Sequence, residues 1–110
     1  MTTDKTGAPT TVTQESDRFS ISVEGQKAGF TEYADRDGQR IFPHTEVADE
    51  FEGRGLATIL VNEALKTTRD SGLRIVAVCP LVAAFVKKHH EFDDVVDPFD
   101  TDLKRWLANR

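Results

Sequence analysis

From Arg18 onward, apolar and polar side chains alternate. Phe19, Ile21 and Val23 are separated by Ser20, Ser22 and Glu24, the period of two that a strand with one buried face requires. Gly25-Gln26 supplies a tight turn, and residues 28–34 predict a second strand. Asp35-Arg36-Asp37-Gly38 supplies another turn, its Asp-Gly pair tolerating positive φ, and a third strand is expected over residues 39–47. The period changes after Gly55. Ala57, Leu60, Val61, Ala64, Leu65 and Thr68 recur at three- and four-residue spacing, the stripe of an amphipathic helix, which Ser71-Gly72 ends near Asp70. Residues 75–79 form a continuous β-prone apolar run that suits a strand buried on both faces. Pro80 opens a helix expected over residues 81–89, because proline fits a first helical position. After the break at Asp97-Pro98, Asp100 or Thr101 can cap a terminal helix that docks through Leu103, Trp106 and Leu107. The predicted order is β-β-β-α-β-α-α.

Composition narrows this picture. Residues 1–17 are rich in Thr, Ser, Gln and Asp with few large apolar side chains, so burial there is not expected to offset the entropy of ordering, and a disordered tail is predicted. Residues 18–110 are then one domain, in a chain of 110 residues with 38% hydrophobic content. With 14 basic and 19 acidic residues the formal net charge is −5, which disfavours a nucleic-acid partner. No apolar run approaches the ~20 residues that span a bilayer, and no basic-then-apolar leader opens the chain, so no membrane partner and a cytoplasmic location are expected. The single cysteine, Cys79, leaves no intramolecular disulfide, and Cys/His metal spacing is missing. Adjacent His89 and His90 do not share a helix face, so no metal is expected there. Glu91, Asp93, Asp94, Asp97, Asp100 and Asp102 lack the spacing of a calcium loop and read as a solvated face.

The informative stretch is His44-Thr45-Glu46-Val47 followed by Glu50-Phe51-Glu52-Gly53-Arg54-Gly55-Leu56-Ala57. It joins a strand end to a helix start through glycines. Glycines let backbone N–H groups approach a phosphate, and the helix N-terminus favours negative charge, so the segment reads as an anion cradle. It resembles the acetyl-CoA pyrophosphate loop of the GCN5-related N-acetyltransferases, Q/R-x-x-G-x-G/A, with Glu50 standing at the Q/R position. Within that superfamily the chain is similar to small single domains carrying His-Thr-Glu-Val, Glu-Gly-Arg-Gly and, after the next strand, Cys-Pro.

The resemblance implies an α+β fold, a mixed, mostly antiparallel sheet with flanking helices, lacking the two helices that usually follow the first strand. It implies acetyl-CoA or coenzyme A in a gap between the strand ending at Val47 and the strand ending at Cys79. Thr45 and Val47 would pair with its pantetheine arm, and Glu52, Gly53, Arg54, Gly55, Leu56 and Ala57 would hold its pyrophosphate, with Cys79 beside the thioester. The activity expected is transfer of an acetyl group to an unidentified amine. The alternative is a coenzyme-A-binding or interaction module with little or no catalysis, because Phe85 stands in the helix where many members carry a proton-donating tyrosine. Tyr33, the single tyrosine, falls on an earlier strand.

Three residues are candidates for catalysis. Cys79, beside the start of a helix, is either an acyl-accepting nucleophile or a small core residue. His44 and Glu46 lie two apart on a strand, on one face shared with Phe42. They are either a carboxylate-oriented general base or a solvated surface pair.

Overall fold

A computed structural model describes residues 2–109. Strands β1 (Thr2–Thr3), β2 (Pro9–Gln14), β3 (Arg18–Val23) and β4 (Gln26–Glu32) are followed by β5 (Ala34–Arg36), β6 (Gln39–Phe42) and β7 (Thr45–Val47). A 3₁₀ turn at Asp49–Phe51 leads through the glycine loop to α1 (Leu56–Asp70), β8 (Arg74–Ala77) and α2 (Pro80–Lys88). A second 3₁₀ segment, His90–Val95, precedes β9 (Val96–Asp97) and α3 (Thr101–Ala108). One sheet runs β1-β2-β3-β4-β7 and is antiparallel throughout; the other runs β5-β6-β8-β9. In the second sheet β6–β8 and β8–β9 are parallel while β5–β6 is antiparallel. This is the α+β architecture expected, a mixed, mostly antiparallel arrangement with flanking helices.

The expected continuous strand over residues 39–47 is two strands in two sheets. Pro43 has no N–H to give a ladder, and between β5–β6 and β4–β7 the pairing register slips by one residue. A slip of one residue, as in a bulge, reverses which face each following side chain occupies. Phe42 is fully buried while His44 is exposed, so the expectation that both share a face is corrected. Tyr33 breaks the opposing strand at the same level: its N–H donates to the Asp17 carbonyl, and its hydroxyl donates to the Glu15 carbonyl.

The N-terminal segment also differs from expectation. Instead of a disordered tail over residues 1–17, Pro9–Gln14 pairs along β3 from Thr10↔Val23 to Gln14↔Phe19. Sequence polarity misleads there because β2 lies beside an already buried strand. It contributes β-branched Thr10, buried, and half-buried Val12 against the core, and backbone pairing needs no large side chain. Met1 lies outside the described residues.

The core lies between the first sheet and α1. Phe19, Ile21, Val23 and Ala28 face Leu56, Leu60, Val61, Ala64 and Leu65, joined by Phe42, Ile75, Val82, Phe85 and Phe92. Leu60 is fully enclosed, so truncation to alanine costs about 2–5 kcal/mol. At the end of α1, Leu73 N–H donates to Thr68 O and Gly72, at φ 80, donates to Arg69 O, closing the helix as a glycine stop does. The other side of the second sheet packs Ile41 and Val76 against Leu103, Phe99 and Trp106 of the α3 region. Asp100 caps α3, accepting from Leu103 N–H at 2.9 Å. The acids before it are not uniformly a solvated face. Asp97 accepts from Gln39 Nε2 (2.8 Å) and Arg74 Nε (2.7 Å), tying β9 to β6 and β8. These bonds, the Gln39 donor first, hold its carboxyl below the usual range.

Candidate functional site

Strand β7 ends its sheet, and its pairing decides which backbone groups are free. Glu46 lies opposite Phe30; the His44 carbonyl accepts from Glu32 N–H and the Ala48 N–H donates to the Ala28 carbonyl, both at 2.8 Å. Residues 44, 46 and 48 therefore turn their main-chain groups to β4. By alternation, Thr45 and Val47 present theirs on the other edge, which no strand covers among the described residues. Strand β8 does not reach it. Val78 and Cys79 N–H both donate to the Phe42 carbonyl, at 3.2 and 3.0 Å, where the chain bends at Pro43 into β7. Past that point no pairing joins the two strands, and β7 meets the start of α2 through side chains.

Buried polar side chains make that junction. Thr45 Oγ1 lies 2.8 Å from Thr31 Oγ1 and 3.2 Å from Cys79 Sγ. Cys79 is the N-cap residue of α2, with Pro80 at the first helical position. Its thiol makes no capping bond, and it is 4% exposed. His44 and Glu46 occupy the opposite face of β7, with His44 Nε2 3.2 Å from Glu46 Oε1 and both side chains more than half exposed. The structure thus joins His44 to Glu46, and Thr45 to Cys79, but keeps the two pairs on opposite sides of one strand.

That outer face carries a groove of about 680 Å³ lined by Arg18, Ser20, Lys27, Phe30, Glu46 and Asp49, among others. Its floor is Phe30, with the Arg18 guanidinium 4.6 Å from the ring centroid and His44 at 6.0 Å. These β3 and β4 residues carry no motif. Their signal in the sequence is alternation alone, which places Ser20 and Arg18 opposite the buried Phe19 and Ile21.

At the other end, Gly53 and Gly55 adopt φ 81 and 77, left-handed values open to glycine at little cost. Gly55 is the N-cap residue of α1, which has no side-chain cap bond and no acidic residue in its first turn. The first-turn amides of Leu56, Ala57 and Thr58 therefore lack both a capping side chain and a competing carboxylate. The Glu52 N–H is not free; it donates to the Asp49 carbonyl at 3.2 Å. From Ala57 and Thr58 a second groove, about 330 Å³, runs past Leu81, Phe85 and Lys88. Phe85 is 7% exposed and stacks on His89 at 4.2 Å. An uncovered strand edge beside two left-handed glycines and an uncapped helix start is a set of donors suited to an extended amide chain ending in phosphate.

The GCN5-related N-acetyltransferase family profile matches residues 18–95. The chain belongs to that family. This makes it a transferase, as the family's acetyl-group chemistry requires. A GCN5-like protein from Staphylococcus aureus, solved in solution by NMR, has the same fold at TM-score 0.63 and 24% identity, over 83% of this chain and 91% of its own. No curated protein matches the chain. Among the described residues, no helix is long and apolar enough to cross a membrane, and no group of three or more His, Cys, Asp or Glu side chains could hold a metal ion.

Proposed function

We propose that this chain transfers an acetyl group from acetyl-CoA to an amine by direct attack, with Glu46 as the base. The free edge of β7 carries the proposal. Thr45 and Val47 offer alternating N–H and C=O groups where a further strand would pair, and the pantetheine arm, with its two amides, has the chemistry to take that place. The phosphates would meet the amides of Leu56, Ala57 and Thr58, with Gly53 and Gly55 keeping side chains out of the way. Bound acetyl-CoA would supply an electrophilic thioester carbonyl: the amine nitrogen forms the new C–N bond as the C–S bond breaks, and CoA leaves as its thiolate, which takes its proton from solvent. On the outer face, Glu46 holds the proton lost by the acceptor amine, and His44, 3.2 Å away, fixes the carboxylate and can pass the proton to solvent. The acceptor would enter by the groove above Phe30.

Direct attack is favoured over acylation of Cys79 because the side-chain partner of the thiol is the Thr45 hydroxyl, itself bonded to Thr31. A nucleophilic thiol needs a base in contact, and the His44–Glu46 pair lies across the strand. Cys79 then lines the cleft. Titration with CoA, followed by backbone amide signals, should shift Thr45, Val47 and residues 53–58 most; shifts confined to α3 would refute the placement. A second reading, a CoA-binding module with little catalysis, is favoured by the buried Phe85 at the usual acid position. Release of free CoA thiol from acetyl-CoA in the presence of primary amines separates the two.

A further inference from the structure

The residues before β2 form a strap across the glycine loop. The Lys5 N–H donates to the Arg54 carbonyl at 3.0 Å, and Arg54 Nη1 lies 3.4 Å from Asp4 Oδ2. The Lys5 stem runs along Gly55 so closely that a Cβ placed on that glycine would be 3.2 Å from Lys5 Cε. We propose that Lys5 is a phosphate-binding residue of the coenzyme A site, delivered to the loop by this strap; this rests on the cofactor placement proposed above.

Charge in the loop supports the assignment. Asp49, Glu50 and Glu52 precede Gly53, and carboxylates so near a polyphosphate repel it. Arg54 does not offset them, since its guanidinium is committed to Asp4. The Asp4 side chain is fully shielded and also accepts from Thr6 N (2.8 Å), Thr6 Oγ1 (2.6 Å) and Ala8 N (3.0 Å). These bonds, the Thr6 hydroxyl first, hold its carboxyl below the ordinary value. Asp4 and Arg54 are thus the clasp of the strap, and the exposed Lys5 ammonium, which has no carboxylate partner among the described residues, is the cation left over at the start of α1. The strap is anchored by Thr2↔Thr10 and Thr3↔Pro9 pairing, so Lys5 is presented in order, with less entropy to lose than on a free tail. Lys5 also lies before the residues that match the family, 18–95.

The test is calorimetric titration of the full chain with CoA and, separately, with pantetheine, which has no phosphate. Lys5→Ala should weaken CoA binding about five- to tenfold and flatten its salt dependence, since an exposed charge pair is screened by ions. Pantetheine affinity should not change, and Lys5→Arg should retain most CoA affinity. Unchanged CoA affinity in Lys5→Ala overturns the assignment while leaving the cofactor reading intact. So does tighter binding after deletion of residues 2–7, which would make the strap a cover and not a ligand. Failure of the unaltered chain to bind CoA overturns the cofactor placement and, with it, this inference.

Discussion

Replacing Cys79 with alanine separates the two chemical routes by orders of magnitude. The substitution removes one heavy atom beyond Cβ from a residue 4% exposed and breaks a 3.2 Å contact with Thr45 Oγ1. The lost atom is worth about 0.8 kcal/mol of transfer energy, as for a buried methylene. The Thr45 hydroxyl keeps Thr31 as a partner at 2.8 Å, so no polar group is orphaned and the whole stability cost should be about 1–2 kcal/mol. If Cys79 only lines the cleft, displacement of the thioester by a few tenths of an ångström should slow turnover less than about tenfold. Loss of a true nucleophile would cost on the order of 10⁴-fold or more. The assay is release of free CoA thiol from acetyl-CoA with a panel of primary amines, wild type against Cys79→Ala, with thermal melting as the control for folding. Rapid acid quench of the wild type without amine, followed by mass measurement of the peptide containing Cys79, gives the independent readout. An acetyl adduct that forms and discharges at least as fast as turnover, together with an inactive alanine variant, would refute direct attack.

Three other outcomes are expected. Glu46→Gln should lower kcat by about 10²- to 10⁴-fold, as loss of a general base does. CoA affinity by calorimetry should stay unchanged, since only the backbone of β7 is assigned to the cofactor. Gly53→Val should weaken CoA binding through strain at φ 81 and a side chain in the phosphate cradle, although a Cβ there meets nothing within 4 Å in the folded chain; unchanged affinity in a folded variant would count against the cradle. Asp4 titrates below its ordinary value, so the stability it gives the strap is complete above about pH 4 and is lost as pH falls through its lowered folded value. Amide exchange at Thr6 and Ala8 should accelerate there in the native chain, and Asp4→Asn should remove that pH dependence.

Deleting residues 1–16 tests where polarity misled the reading of the sequence. A disordered tail would be removable without cost, whereas the structure loses the strand beside β3 and the partly buried Val12. A drop in melting temperature is therefore expected, and an unchanged melt would restore the tail. One signal was present: Asp4-Lys5-Thr6-Gly7 is a turn sequence, with an acid able to bond the amides after it. Its burial, however, depends on Arg54, fifty positions away, and no local pattern reveals that. Periodicity was enough for the extent of α1 and for its buried Leu60, Val61, Ala64, Leu65 and Thr68, although Leu56 takes the first buried place and the expected Ala57 is half-buried; the Cys79 cap position follows from Pro80. It failed at Pro43. Period-two counting put His44 on the face of Phe42, but the register slip turns His44 outward and Thr45 inward.

That slip is what makes the proposed site possible. Without it, residues 39–47 would be one strand with Glu46 directed where Phe42 is, into the core, and a buried unpaired carboxylate there would cost several kcal/mol. With it, the same strand puts Thr45 in contact with Cys79, turns Glu46 to the open groove, and leaves the Thr45 and Val47 amides on an uncovered edge between them. An edge strand normally has to be blocked by charge, proline or a covering element. Here β7 is only three residues long, Thr45–Val47, bounded by Pro43 on one side and the 3₁₀ turn at Asp49–Phe51 on the other. So short an edge is a poor template for another chain's strand, and it matches the two amides of the pantetheine arm proposed to pair there. The irregularity that defeats sequence periodicity and the uncovered edge proposed for the cofactor therefore arise at one place, Pro43, where the two sheets part.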